Sequence, residues 1–107
     1  MNKKSDINPP SIPAIDKLIH EPARLIIMAH LFVVESVDYL FLQQQTGLTW
    51  GNIASHVGKL EKAGYVSVKK EFLDKKPHTT LKLTVQGRRA FKEYKESMKQ
   101  VFEDLPE

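Results

Sequence analysis

Between Asp38 and Gly64 the chain reads DYLFLQQQTGLTWGNIASHVGKLEKAG, and this stretch restricts the fold more than any other. Asp38 is a helix N-cap residue, and Gly47 suits the left-handed position that closes a helix after Tyr39 to Thr46. Leu48 is then the turn, Thr49 caps a second helix from Trp50 to Ala63, and Gly64 ends it. Two helices joined by a short glycine-containing turn make a helix-turn-helix over residues 38–64.

The second helix separates into faces at 100° per residue. Ile53, Val57 and Leu60 fall on one narrow face that packs inward. Opposite lie Gly51, Ser55, Gly58 and Lys62, flanked by Asn52 and Lys59. A glycine inside a helix costs about 1 kcal/mol against alanine, and less in the first turn. A sequence that accepts this cost on an exposed face fits close backbone approach to a partner. In a duplex groove, Lys59 and Lys62 would meet the phosphates while Ser55 and Asn52 reached base edges. The competing reading of this helix alone is a small, polar, solvated face.

Charge placement bears on that choice. The 107 residues carry a net charge of +3, unevenly spread. Residues 1–47 hold four basic and five acidic groups (−1), residues 48–92 ten against three (+7), and residues 93–107 two against five (−3). A basic middle between acidic ends points to a surface that meets a polyanion. The chain has no cysteine, which excludes disulfides and thiolate metal sites and permits a reducing, cytoplasmic location. No signal peptide is legible at the start, and the apolar stretch from Leu25 to Val34 is too short to span a bilayer.

Upstream, residues 1–11 read as a disordered tail, with the folded domain over 12–107. Ser11 can cap a short helix, Ile12 to Ile19, whose face of Ile15, Leu18 and Ile19 must dock on something. Pro22 starts a helix to about Val33 that is apolar nearly all round through Leu25, Ile26, Met28, Ala29, Leu31 and Phe32. Such a helix is buried on more than one side, and part of it is expected to meet a second subunit. His20 and His30 lack metal-ligand spacing and read as satisfied histidines. Ser36 and Val37 can form a very short strand. In the next helix Leu40 and Phe41 are expected to point inward.

After Gly64 the period shortens. Tyr65 to Phe72 and Thr79 to Leu83 alternate as strands, with Leu73-Asp74-Lys75-Lys76-Pro77 as the turn. Residues 65–83 thus form a basic-tipped hairpin, or wing, able to lie along phosphates or enter a minor groove. Lysines at a hairpin tip also serve solubility and edge protection. Beside Lys59, Lys62, Lys69 and Lys70, however, Lys75 and Lys76 extend a basic surface. Thr84 caps the last helix, through about 105, where Phe91, Tyr94, Met98, Val101 and Leu105 are spaced 3, 4, 3, 4 as a helix-pairing seam that Phe102 broadens. With Ile15, Leu18, Ile19 and Leu25, this seam is the expected homodimer interface.

The fold class is α+β, mostly α: a winged helix-turn-helix with a two- or three-stranded antiparallel sheet and terminal dimerisation helices. The segments IHEPARLIIMAHL (19–31), LTWGNIASHVGKLEKAGYV (48–66) and KKPHTTLKLTVQGRRAF (75–91) resemble winged-helix transcriptional regulators of the MarR and ArsR type, in particular the compact MarR-like group. The resemblance implies a cytoplasmic, homodimeric reader of palindromic double-stranded DNA. It implies contacts from Trp50, Asn52, Ser55, His56 and Lys59 on the helix, and from Lys76, Thr79 and Thr80 around the wing. Together with the wheel and the charge map, the candidate DNA-binding set is Thr49, Trp50, Gly51, Asn52, Ser55, His56, Lys59, Lys62, Lys69, Lys75, Lys76, Thr79 and Thr80. No cofactor or metal is called for, an enzyme is the weakest reading, and any small-molecule effector is unidentified. The alternative function is a winged helix that binds an acidic protein instead of DNA.

Overall fold

The computed structural model describes residues 15–103, 105 and 106. The order is α1 (Pro22–Val33), β1 (Val37–Asp38), α2 (Tyr39–Thr46), α3 (Trp50–Lys62), β2 (Val66–Leu73), β3 (Lys76–Leu83) and α4 (Val85–Glu103). Three strands form one antiparallel sheet in the order β1-β3-β2. The fold is therefore four helices around a three-stranded sheet, the arrangement expected of a winged helix.

Each helix begins where a side chain satisfies an orphan backbone N–H. Glu21 accepts from the Arg24 amide at 2.8 Å, Asp38 from Phe41 at 2.7 Å, and Thr49 from Asn52 at 3.1 Å. Thr84 does this for α4, accepting from Gly87 N–H at 2.9 Å, while its own hydroxyl donates to the Gly64 carbonyl at 2.6 Å. That one oxygen ties the start of α4 to the end of α3. Gly47 (φ 73°) and Gly64 (φ 83°) hold the left-handed positions after α2 and α3.

Ile19, Ile27, Met28, Leu31, Leu42, Ile53, Leu60 and Leu81 are wholly or almost wholly buried in one core. The apolar circumference of α1 finds its explanation inside the chain, because α2, α3, β3 and α4 all pack on it. Only Ile26 and Val33 leave large apolar surface in solvent along this helix. The rest is covered within the chain, so the part of α1 left open to a second subunit narrows to these two residues.

Other departures have local causes. Residues 15–19 are a turn and not the end of a helix. The Asp16 carboxylate accepts from Leu18 N–H at 2.9 Å and Ile19 N–H at 3.2 Å, offering these amides a partner that helix would deny them. The expected tail and the start of the expected first helix lie outside the described residues. Leu40 is 55% exposed and Leu42 takes the buried position of α2 instead. The hairpin turn is shorter than expected: Leu73 pairs with Lys76, leaving only Asp74 (φ 51°) and Lys75 (φ 65°) as a two-residue turn. Lys76 and Pro77 thus belong to β3. Proline is tolerated there because β1 reaches only Thr80 and Leu81, so β3 has a single neighbour at Pro77.

Candidate nucleic-acid interface

Helix α3 presents three flanks besides its buried face of Ile53, Val57 and Leu60. The middle flank holds Gly51, Ser55, Gly58, Lys59 and Lys62, all exposed. A β-carbon built on Gly51 or Gly58 meets nothing within 4 Å. The protein's own packing therefore gives no reason for glycine at either site, although each weakens the helix.

The second flank, Trp50 and Ala54, turns toward the wing. Trp50 is 51% exposed and rests its ring against Tyr39 at 5.3 Å in an edge-on arrangement. Trp50 and Ala54 line an open cleft of roughly 580 Å³ whose other wall is Lys70, Pro77, His78 and Thr79. The third flank, Asn52 and His56, turns toward the start of α1. There Arg24 Nη1 lies 3.1 Å from His56 Nδ1, and Glu21 Oε1 lies 3.8 Å from the same nitrogen. Arg24 also donates from Nε to the Leu18 carbonyl at 2.6 Å, so it fastens the turn before α1 to α3. The Arg24 backbone N–H chiefly, and then the charges of His56 and Arg24, hold the Glu21 carboxyl below its ordinary range against a desolvation effect of opposite sign. Asn52 stays exposed, whereas the ring of His56 is engaged within the chain.

In the wing, strand parity decides which lysines share the surface of α3. Val66 pairs with Leu83, Val68 with Leu81, Lys70 with Thr79 and Phe72 with Pro77, so these side chains occupy the face that begins at the core. Ser67, Lys69, Glu71 and Leu73, with their partners Lys82, Thr80, His78 and Lys76, have the opposite parity, although His78 still borders the cleft. Lys70 and Thr79 therefore join Trp50 across the cleft. Lys69 and Thr80 lie on the reverse face, where Lys69 Nζ sits 3.8 Å from Glu71. Lys70, counted from the sequence in the basic surface but not in the candidate DNA-binding set, is the lysine of β2 that lines the cleft. The signal was available: Val66 and Val68 are the core-facing valines, and the next residue of the same parity is Lys70. Lys75 and Lys76 are exposed at the tip. Thr49 is exposed as the cap of α3.

The expected dimer residues divide sharply. Ile19, Phe91 and Tyr94 are buried in the chain's own core, which corrects their assignment as subunit contacts. Phe91 packs on Phe32 of α1 at 5.1 Å, and the Tyr94 hydroxyl meets His20 Nδ1 at 2.8 Å, so the first rungs of the α4 seam are satisfied internally. Ile15, Leu18, Leu25 and Met98 are half-buried against that core. Val101 is half-buried, Phe102 is 66% exposed, and Leu105 lies beyond the helix, half in solvent. His30 is occupied by the Ile26 carbonyl at 2.9 Å. No group of three metal-ligating side chains occurs among the described residues, and no helix among them is long and apolar enough to cross a membrane.

Comparisons with known proteins agree with this fold. Residues 23–102 match the family model described as winged helix DNA-binding domain. An uncharacterised protein of Methanocaldococcus jannaschii is 36% identical over 78 residues, which span 73% of this chain and 85% of the relative. The solved structure of a transcriptional regulator homologue from Pyrococcus horikoshii superposes with a TM-score of 0.77 at 31% identity, covering 82% of this chain and 87% of that one. A structure from Enterococcus faecalis assigned to the MarR family of transcriptional regulators shares the fold, with a TM-score of 0.64 at 21% identity over 98% of this chain and 96% of that one.

Proposed function

Because the chain belongs to the winged helix DNA-binding domain family, we propose that this DNA-binding regulator is a sequence-specific homodimeric repressor whose α3 enters the major groove of double-stranded DNA. The observation that carries the reading is the open middle flank of α3: two glycines that no internal contact requires, edged by Ser55, Lys59 and Lys62. Such a flank lets the helix backbone come close to base edges. Trp50, Asn52 and Ser55 are the proposed base readers, with Thr49 and Gly51 approaching the strand backbone. Lys59, Lys62, Lys70, Lys75 and Lys76 neutralise phosphates, with Thr79 beside them. His56 acts by holding α3 to Arg24 and Glu21. Lys76 has the strand parity of Lys69 and Thr80 but lies beside the turn at the tip, whereas Lys69 and Thr80, farther from the tip on the reverse face, stand away from the duplex.

The homodimer is proposed from the far half of α4. Met98, Val101, Phe102 and Leu105 leave an apolar strip that this chain covers only in part, with Val33 exposed on α1 as well. Pairing two copies would set two α3 helices on successive major grooves about 34 Å apart, so the site should be palindromic. A dimer occupying that length of duplex excludes other proteins, and repression follows. A reader of DNA works where the DNA is, and we place it in the cytoplasm. The family's work is binding, so we assign the chain no catalytic step.

Selection of bound duplexes from a random pool tests the proposal. A palindrome with half-sites about 10 base pairs apart is the expected result. Neutralising six to ten phosphates predicts a loss on the order of 10³–10⁵ in affinity from 50 to 200 mM salt. Absence of retardation at low salt, or affinity that hardly changes with salt, counts against it.

A further inference from the structure

Phe72 is an apolar residue at the end of a charged ribbon. It is 74% exposed, although it lies on the same strand face as the buried Val66. Six residues of extended chain, on the order of 20 Å, separate the two, so Phe72 stands beyond the reach of the core. Pro77 pairs with it directly, and Pro77 with Lys70 already forms the wing wall of the cleft opposite Trp50. Phe72 is therefore the next side chain outward on the surface that faces the same way as the reading helix. The two-residue turn at Asp74 and Lys75 closes the ribbon immediately past it, with both residues in left-handed conformation. The tip is thus held by pairing up to Leu73–Lys76. Lys70 shares the face of Phe72, and Lys75 lies in the turn just past it with Lys76 beside it. Against these stands Asp74 of the same turn, so the charged groups at this end of the ribbon are net positive. Lys69 and Glu71 belong to the reverse face.

An exposed ring at a cationic ribbon end fits a partner that is anionic outside and apolar within. Stacked base pairs beneath two phosphate strands have that character. The minor groove, about 6 Å wide, admits side chains from a ribbon tip but not the ribbon itself. We propose that Phe72 is a minor-groove wedge: its ring enters between neighbouring base pairs beside the sequence read by α3 and kinks the duplex there. This rests on the DNA-binding reading above and extends it to a residue that the charge map and the helix wheel leave out. Unstacking is easiest at pyrimidine–purine steps. The wedge therefore adds a preference for TA or CA/TG flanks at positions where the wing donates no hydrogen bond to a base. Apolar wedges of this kind bend DNA by about 20–90°.

The test compares full-length wild type, Phe72→Ala, Phe72→Leu and Lys76→Ala on an end-labelled duplex obtained by selection from a random pool. Bend angle is read by energy transfer between the ends, and affinity at several salt concentrations. The wild type is expected to shorten the end-to-end distance. Phe72→Ala loses most of that bend and roughly tenfold in affinity with the salt slope unchanged. Phe72→Leu keeps most of the bend, because a leucine can still wedge. Lys76→Ala keeps the bend and lowers the salt slope by about 1. Retention of wild-type bend and affinity by Phe72→Ala overturns the wedge while leaving DNA binding intact. A change in association state of Phe72→Ala without DNA also overturns it, because the ring would then belong to a contact between copies. Failure of the wild type to bind duplex at low salt removes both the wedge and the reading beneath it.

Discussion

The α-carbon of Gly87 faces the backbone of Tyr65 so closely that a β-carbon would lie 1.9 Å from the Tyr65 carbonyl oxygen. This is where the start of α4 crosses the entrance to β2, and the neighbouring Thr84 amide donates to the same oxygen at 3.1 Å. The obstacle is backbone, so it cannot swing aside. Gly87→Ala must separate α4 from the sheet, at a cost typical of overpacking, roughly 1–3 kcal/mol. Urea unfolding should show the midpoint falling with little change in slope, and an unchanged midpoint would refute the close approach.

Gly58 is the opposite case. Its β-carbon position is empty, so Gly58→Ala should stabilise the fold by about 0.5–1 kcal/mol through helix propensity alone. If the flank serves duplex approach, the same substitution should weaken DNA binding. Opposed signs in a melting experiment and a binding titration are the expected result. A variant that gained stability and bound as well as wild type would show that the empty space has no partner.

The wing turn carries its own strain. Lys75 adopts φ 65°, a conformation costing about 1–2 kcal/mol outside glycine. Lys75→Gly removes that cost but loosens the unfolded chain by roughly 0.4–1 kcal/mol. The net expectation is a gain of about 0.5–1 kcal/mol, visible as a higher unfolding midpoint. A loss of stability would mean that the lysine side chain supports the turn in some other way.

Tyr65 links pH to stability through the N-terminal turn. Its hydroxyl donates to Asp16 at 2.6 Å. Burial first, and the bond to Asp16 second, push its pKa up to about 12 from an ordinary 10. The folded state thus favours the protonated phenol. Its contribution is complete below pH 10 and is lost as pH rises through about 12. Burial raises Tyr39 and Tyr94 in the same direction. Denaturation followed from pH 9 to 12 should show stability falling, and Tyr65→Phe should flatten part of that fall. An equally steep fall in Tyr65→Phe would assign the effect to the other tyrosines.

The helix-turn-helix was legible because its signals are local. Asp38, Gly47, Thr49 and Gly64 each act through their own backbone, and caps of this kind need no tertiary context. What the sequence hid depended on competition between partners. The Asp16 carboxylate outbids the helix for the amides of Leu18 and Ile19. The heptad spacing of Phe91 and Tyr94 resembles a subunit seam, yet α1 and the turn before it take those rungs first. In the site, the wheel of α3 separates buried from exposed residues correctly. It could not show that Arg24 and Glu21 would engage His56 from another element.

Strand parity yields the sharpest test of the wing. Lys69 and Lys70 are adjacent in sequence, equally charged and both exposed, but they point to opposite faces of the ribbon. Lys70 shares the cleft with Trp50, while Lys69 lies near Glu71 on the reverse. A general attraction to DNA would count the two alike, since both raise the net charge equally. A defined docking face would not. Lys70→Ala should therefore weaken duplex binding severalfold and lower the slope of log affinity against log salt by about 1, the signature of one lost phosphate contact. Lys69→Ala should leave that slope within error of wild type. Equal effects from the two variants would mean that the wing attracts DNA without orienting it, and the assignment of its core-side face to the duplex would fall.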